Sequence, residues 1–198
     1  MNPTAEQIQK INHFSKVNID MCAKIASVVD IKECEPKEQL LTEGDTGDTM
    51  VLVFQGQVEV SKNMMVKTAS GFTTSRKPII RLETTDPRPS RDPDTESTVF
   101  VVEAPAFGIG EFSLVLDNAI RTAHVNATTP LKYGILGLED FTKIVKDHPE
   151  IGGAVYFEVA KSAVNNLATA SGDLSLIHIS EPTRPERIGG GGVGVKKK

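Results

Sequence analysis

The sequence predicts an α+β domain: an antiparallel β-roll, jelly-roll-like, flanked by N-terminal and C-terminal helices. Three observations predict it. Apolar residues recur at three- and four-residue steps near both ends, the period drops to two in between, and glycine turns punctuate that middle stretch. Helices, then many short strands, then helices is the order of a roll with helical ends.

Residues 4–30 read as helical. Ala5, Ile8 and Ile11, then Cys22, Ile25, Ala26 and Val29, lie on helical spacing, and Asn18 is placed to cap a second helix. From Ile31 onward short strands are expected at 31–35 and 39–42. Two further strands, at 49–54 and 57–61, flank Gln55-Gly56, a tight-hairpin signal in which glycine accepts a positive φ. Residues 61–97 form a long insert. A strand is expected over 77–83, while 83–97 carries at most one apolar residue and several prolines, a composition that does not repay ordering. That segment is read as a mobile surface loop. A strand resumes at 98–103, and 121–127 and 131–136 read as the closing strands. Leu138, Phe141, Ile144 and Val145 then make an amphipathic helix that His148-Pro149 should end, and a second helix runs from about Glu150 to Leu167.

The end of the chain has another origin. Residues 174–184 match the peptide obtained by translating a transposase sequencing adapter, and 185–198 have the low complexity of read-through. Residues 174–198 are therefore read as not native, leaving one domain over 1–173. That tail holds five of the 22 Lys and Arg and two of the 26 Asp and Glu, so 17 and 24 remain and the formal charge becomes −7. A mildly acidic domain without a basic stripe is a poor match for nucleic acid. An anionic ligand would have to be captured by a local positive site.

No apolar stretch is long enough to cross a membrane, and the first residues lack the charged-then-apolar pattern of a secretory signal. The expectation is a cytoplasmic chain with no preceding membrane region. Cys22 and Cys34 show no metal-ligand spacing and read as two buried free thiols. His13 and His148 read as solvated. His124 lies on the strand after Arg121, where it could approach a ligand, but it reads first as a plain strand position. Residues 49–136 contain one histidine, so three-histidine metal chemistry is not available there. No phosphate-cradling glycine-lysine loop, Ser-His-Asp set or Cys-His pair stands out, and no enzyme is expected.

The informative stretch is Ala106 to Val125. It sets Glu111, behind Gly108 and Gly110, ten residues before Arg121, with an apolar turn between them. A ribose hydroxyl needs an acceptor, and a phosphate needs a planar cation and free backbone N–H groups. Glu111 can supply the acceptor, Arg121 the cation, and a helical turn between them the N–H groups.

These residues, with the glycine turns Glu43-Gly44-Asp45-Thr46-Gly47-Asp48 and Gln55-Gly56-Gln57, resemble the cyclic nucleotide-binding domain of bacterial cAMP receptor proteins, protein kinase regulatory subunits and cyclic nucleotide-gated channels. The resemblance runs from about Ile11 to Leu167, interrupted by the insert, and the Glu111–Arg121 spacing is similar to the bacterial branch. It implies a ligand-binding set of Gly110, Glu111, Phe112, Ser113, Arg121, Thr122 and Ala123. Glu111 would take the ribose 2′-hydroxyl and Arg121 the cyclic phosphate. Thr122 would add a hydroxyl and Ala123 an N–H, and Gly110 would let the backbone approach the sugar. Ile120 departs from the proline or small polar residue usual before the arginine. Glu103-Ala104-Pro105 departs from the glycine usual ahead of the cassette.

The implied function is a regulatory module that senses cAMP or cGMP and relays binding through its C-terminal helices. Thr122 does not decide between the nucleotides, and the spacing leans toward cAMP. No metal and no cofactor beyond the nucleotide is implied. The partner is an effector domain or protein that the sequence does not reveal, and dimerisation through the helix after Glu150 fits as well. The alternative is a scaffold or interaction domain of the same fold that binds no nucleotide, which Phe112, Ile120 and the insert would favour by filling the site or contacting a partner.

Overall fold

A computed structural model describes residues 1–68, 71–85 and 99–179, with side chains to residue 168. The chain divides into two compact units, Met1–Lys161 and a second from Ser162. The mixed architecture is the expected α+β arrangement, with antiparallel sheets and flanking helices.

Helix α1 (Ala5–Gln9) is closed by a capping box in which the Thr4 and Gln7 side chains each bond the other's backbone N–H. A 3-10 turn (Asn12–Phe14) follows, so 4–30 is not continuous helix. Helix α2 (Ile19–Ser27) starts where Asn18 Oδ1 accepts from Asp20 N–H at 2.9 Å, as expected from the sequence. The strands are β1 (Lys32–Cys34), β2 (Gln39–Leu41), β3 (Thr46–Gly47), β4 (Thr49–Gln55), β5 (Gln57–Thr68), β6 (Gly71–Thr84), β7 (Phe100–Ala104), β8 (Phe107–Ile109), β9 (Ala119–Ile120), β10 (His124–Ala127) and β11 (Leu131–Gly137). A second 3-10 turn (Glu111–Leu114) lies between β8 and β9. Helices α3 (Leu138–Asp147) and α4 (Pro149–Ile179) close the described chain.

The strands form a four-stranded sheet in the order β1-β11-β4-β8, a five-stranded sheet in the order β2-β10-β5-β6-β7, and the small pair β3-β9. One pairing departs from the antiparallel expectation: β6 and β7 run parallel, Ile80 opposite Phe100. The insert is also corrected in part. Where the sequence predicts one strand over 77–83, residues 61–68 and 71–84 extend a hairpin paired from Gln57↔Glu83 to Thr68↔Gly71. β-branched residues and alternating polarity suit a pleated ribbon. Residues 86–98, which hold most of the expected loop, lie outside the described residues.

Strand β4 shows why two cores exist. Its alternate residues face opposite ways. Met50, Leu52 and Phe54 join Ile8, Ile11, Phe14, Ile25, Leu114, Phe141, Ile151 and Val155 in one core. Val51 and Val53 join Val58, Phe107, Val125 and Leu131 in the other. A strand buried on both faces is the spine of the domain. Cys22 and Cys34 are buried and free, as the sequence suggests. His13 is not solvated: the 3-10 turn carries it inward, to 3% exposure.

Candidate functional site

The site is built around Arg121, which leaves β9 just before β10. The loop 43–48 holds its backbone on both sides. Gly44 N–H donates to Arg121 O at 2.9 Å, and Arg121 N–H donates to Asp45 O at 2.7 Å. Strand β3 continues the clamp, with Thr46 opposite Ile120 and Gly47 opposite Ala119.

The side chain turns inward and is 7% exposed. Its Nη1 donates to Ser113 Oγ at 2.6 Å, and its Nη2 donates to Thr49 O at 2.8 Å and to Thr49 Oγ1 at 3.1 Å. All three partners are neutral oxygens. Among the described residues no carboxylate stands within ion-pair distance of the guanidinium. Burial pushes its pKa down, opposed by the more distant charge of Asp48. Two glycines make room for the guanidinium plane. A Cβ on Gly47 would lie 2.6 Å from Arg121 Cζ, and one on Gly110 would lie 2.5 Å from Nη1. Gly110 also has φ +82 and caps the 3-10 turn Glu111–Leu114, so it meets two requirements that only glycine satisfies together.

Of the sequence-selected residues, the structure brings Gly110, Ser113 and Arg121 into direct contact. Glu111 opens the 3-10 turn and is half-buried. Phe112 is half-buried and packs against the helical core. Thr122 is exposed and Ala123 half-buried, both just past the arginine. Ile120 is 66% exposed and so does not fill the space at the guanidinium.

Sequence reasoning missed Thr49 and the steric part of Gly47. The signal available was the paired glycines of the 43–48 turn; Thr49 left none, because its contact spans 72 positions. It also missed His13. Among the described residues neither ring nitrogen of His13 has a hydrogen-bond partner. Burial holds its pKa below the ordinary value, against the raising influence of Glu111 and Glu158. A cavity of about 100 Å³, lined in part by Lys10, Phe54, Pro105 and Lys132, shares no residue with the Arg121 cluster. Among the described residues no helix is long and apolar enough to cross a membrane.

No family model matches the chain, and no curated protein matches it in sequence. Solved structures do match. One is the N-terminal domain of a transcriptional regulator from Streptomyces coelicolor A3(2), at TM-score 0.58 and 20% identity, covering 83% of this chain and 94% of that one. The Thermus thermophilus catabolite activator protein matches at TM-score 0.59 and 18% identity, over 84% of this chain but 63% of its own length. A cyclic nucleotide-binding domain from Methylobacillus flagellatus KT matches at TM-score 0.53 and 20% identity, over 83% and 76%. The chain therefore has the fold of cyclic nucleotide-binding domains, which is the fold its cassette resembles.

Proposed function

We propose that this chain is a regulatory module that binds a cyclic nucleotide, with cAMP favoured over cGMP by its Glu111–Arg121 spacing. The observation that carries the reading is the buried Arg121 cation, whose side-chain hydrogen bonds among the described residues go to the neutral oxygens of Ser113 and Thr49. A buried charge is costly unless an opposite charge meets it. A cyclic phosphate supplies one negative charge and the oxygens that a guanidinium fork matches. In this reading Arg121 pairs with the phosphate, and Thr122 and Ala123 add a hydroxyl and an N–H. Glu111 accepts from the ribose 2′-hydroxyl, with Gly110 allowing close approach and Phe112 and Ser113 completing the turn. The two side chains that would have favoured a nucleotide-free scaffold do not cover the cation: Phe112 packs on the core and Ile120 points to solvent.

The relay would run through α3 and α4 toward an effector. Leu138 N–H, the first of α3, donates to Asp48 O at 2.7 Å, one residue before Thr49. Phe141 and Val155 are fully buried in the same core as β4, and Phe141 meets Tyr156 edge-on at 5.9 Å. Ligand contacts present in only one packing of these helices would shift the population toward it.

Calorimetric titration of the full chain with cAMP and then cGMP tests this. Arg121→Ala should lose about 2–5 kcal/mol of binding free energy, since a phosphate would be left without its charged partner. A mutant that binds as tightly as the parent, or a folded parent that binds neither nucleotide, overturns the reading.

A further inference from the structure

We infer that His124 is a positioning residue for nucleotide binding, acting through the 43–48 loop on Arg121 without touching the ligand. The inference rests on the function proposed above and adds a residue to it. His124 is 4% exposed and sits at the start of β10, opposite Ser61 of β5. Its Nδ1 accepts the backbone N–H of Glu43 at 3.1 Å. The next N–H, that of Gly44, donates to Arg121 O. The ring therefore fixes the first residue of the loop that clamps the arginine backbone and packs Gly47 against its guanidinium.

The other face of the ring is fixed as well. An imidazole whose Nδ1 accepts carries its proton on Nε2 when neutral. That nitrogen stands 3.6 Å from Glu43 Oε2 and 3.0 Å from Asn63 Nδ2, so with the proton on Nε2 the Asn63 amide has to be turned over, its oxygen toward the ring, to accept it. Glu43 Oε2 in turn accepts Asn63 N–H at 2.7 Å. Three residues from three elements thus form a closed hydrogen-bonded set: the loop, β5 and β10. A phenylalanine could fill this space and could not accept the Glu43 N–H. An asparagine could, because its Oδ1 occupies a place similar to Nδ1.

The test compares cAMP affinity in the full chain for the parent, His124→Phe and His124→Asn, each checked for folding by thermal unfolding, and repeats His124→Phe in an Arg121→Lys background. His124→Phe should weaken binding about tenfold, the scale of one lost positioning hydrogen bond. His124→Asn should recover to within about threefold of the parent, and in the Arg121→Lys background the phenylalanine should add less than about twofold, because residues acting as one unit are not additive. Nitrogen-15 spectra of the imidazole should show Nδ1 unprotonated, with or without ligand. The inference is overturned by a His124→Phe protein that binds like the parent, an asparagine as damaging as the phenylalanine, penalties that add in full, or a proton on Nδ1. A parent that binds no cyclic nucleotide instead removes the function itself, and the role of His124 with it.

Discussion

Gly47→Ala is the sharpest perturbation the structure offers, because it displaces one group, the Arg121 guanidinium, while substituting none of the binding residues. Gly47 has no positive φ, so alanine suits its backbone; only space is lacking. The new Cβ would lie 2.6 Å from Arg121 Cζ and 2.5 Å from Nε. An ordinary contact needs about 3.5 Å, so the guanidinium must retreat by roughly 1 Å. Its bonds to Ser113 Oγ at 2.6 Å and to Thr49 O and Oγ1 at 2.8 and 3.1 Å would stretch past hydrogen-bonding range or be redirected. Each bond to a charged donor contributes about 1.5–3 kcal/mol, but a displaced guanidinium regains water, so the fold should lose little. Affinity has no such compensation: a misplaced phosphate partner costs about 2 kcal/mol or more, roughly 30-fold in cAMP binding. Gly44→Ala is the control. Gly44 has φ +90 and nothing within 4 Å of its would-be Cβ. Alanine there adds backbone strain of about 1–2 kcal/mol and leaves cAMP affinity within about threefold. Calorimetry and thermal unfolding on both variants decide the matter. If Gly47→Ala binds like the parent, or Gly44→Ala loses as much affinity, the guanidinium's placement between the glycines is not what sets affinity.

Two further outcomes follow from buried titratable groups. Burial sets the His13 pKa below its ordinary 6.5, so the unfolded chain takes up the proton first as pH falls. Stability is complete above about 6.5 and declines below it toward the folded value; the melting temperature of His13→Leu should fall less between pH 7.5 and 5.5 than the parent's, and equal falls would refute the assignment. The Cys22 thiol is pushed up to about 11 by burial, and Cys34 is raised mainly by the same cause. A thiol reagent at pH 8 should therefore label both only as the protein unfolds; labelling of native protein at the rate of free cysteine would contradict their burial.

The elements that the sequence made legible are those whose signal is local. Asn18 could be chosen as a cap because a cap bonds two residues away. The cassette could be found because Gly110, Glu111 and Arg121 lie within twelve positions. What stayed hidden depends on pairing across distance. The hairpin over 57–84 was shortened because Lys62, Asn63, Lys67 and Arg76 give it a polar surface, and a two-stranded ribbon needs no buried face to keep its ladder bonds. The parallel β6–β7 pair carries no turn signature, since parallel neighbours, unlike a hairpin, are not joined by a tight turn that local sequence could announce. His13 was misplaced because a single turn of 3-10 geometry rotates a side chain away from where helical spacing would put it. Thr49 reads as the polar first residue of a strand, and only the folded chain sets it beside Arg121.

That position of Thr49 explains how a small event at the cation could reach the helices. Residues 48 and 49 are consecutive, and each holds something different. Thr49 holds the guanidinium through its carbonyl and hydroxyl, while Asp48 O holds the first N–H of α3. Beyond them β4 is buried on both faces, and Met50, Leu52 and Phe54 share one core with Phe141, Ile151 and Val155. Close-packed interiors shift between discrete arrangements and do not deform smoothly. In the proposed mechanism a phosphate that pairs with Arg121 changes the charge felt by the Thr49 carbonyl at the end of this spine. The adjacent peptide, which anchors α3, is then the nearest group able to respond. The contact that holds the arginine and the contact that starts the C-terminal helices are thus two bonds of one stretch of chain, and in the proposed relay a ligand that alters the first would act on the second.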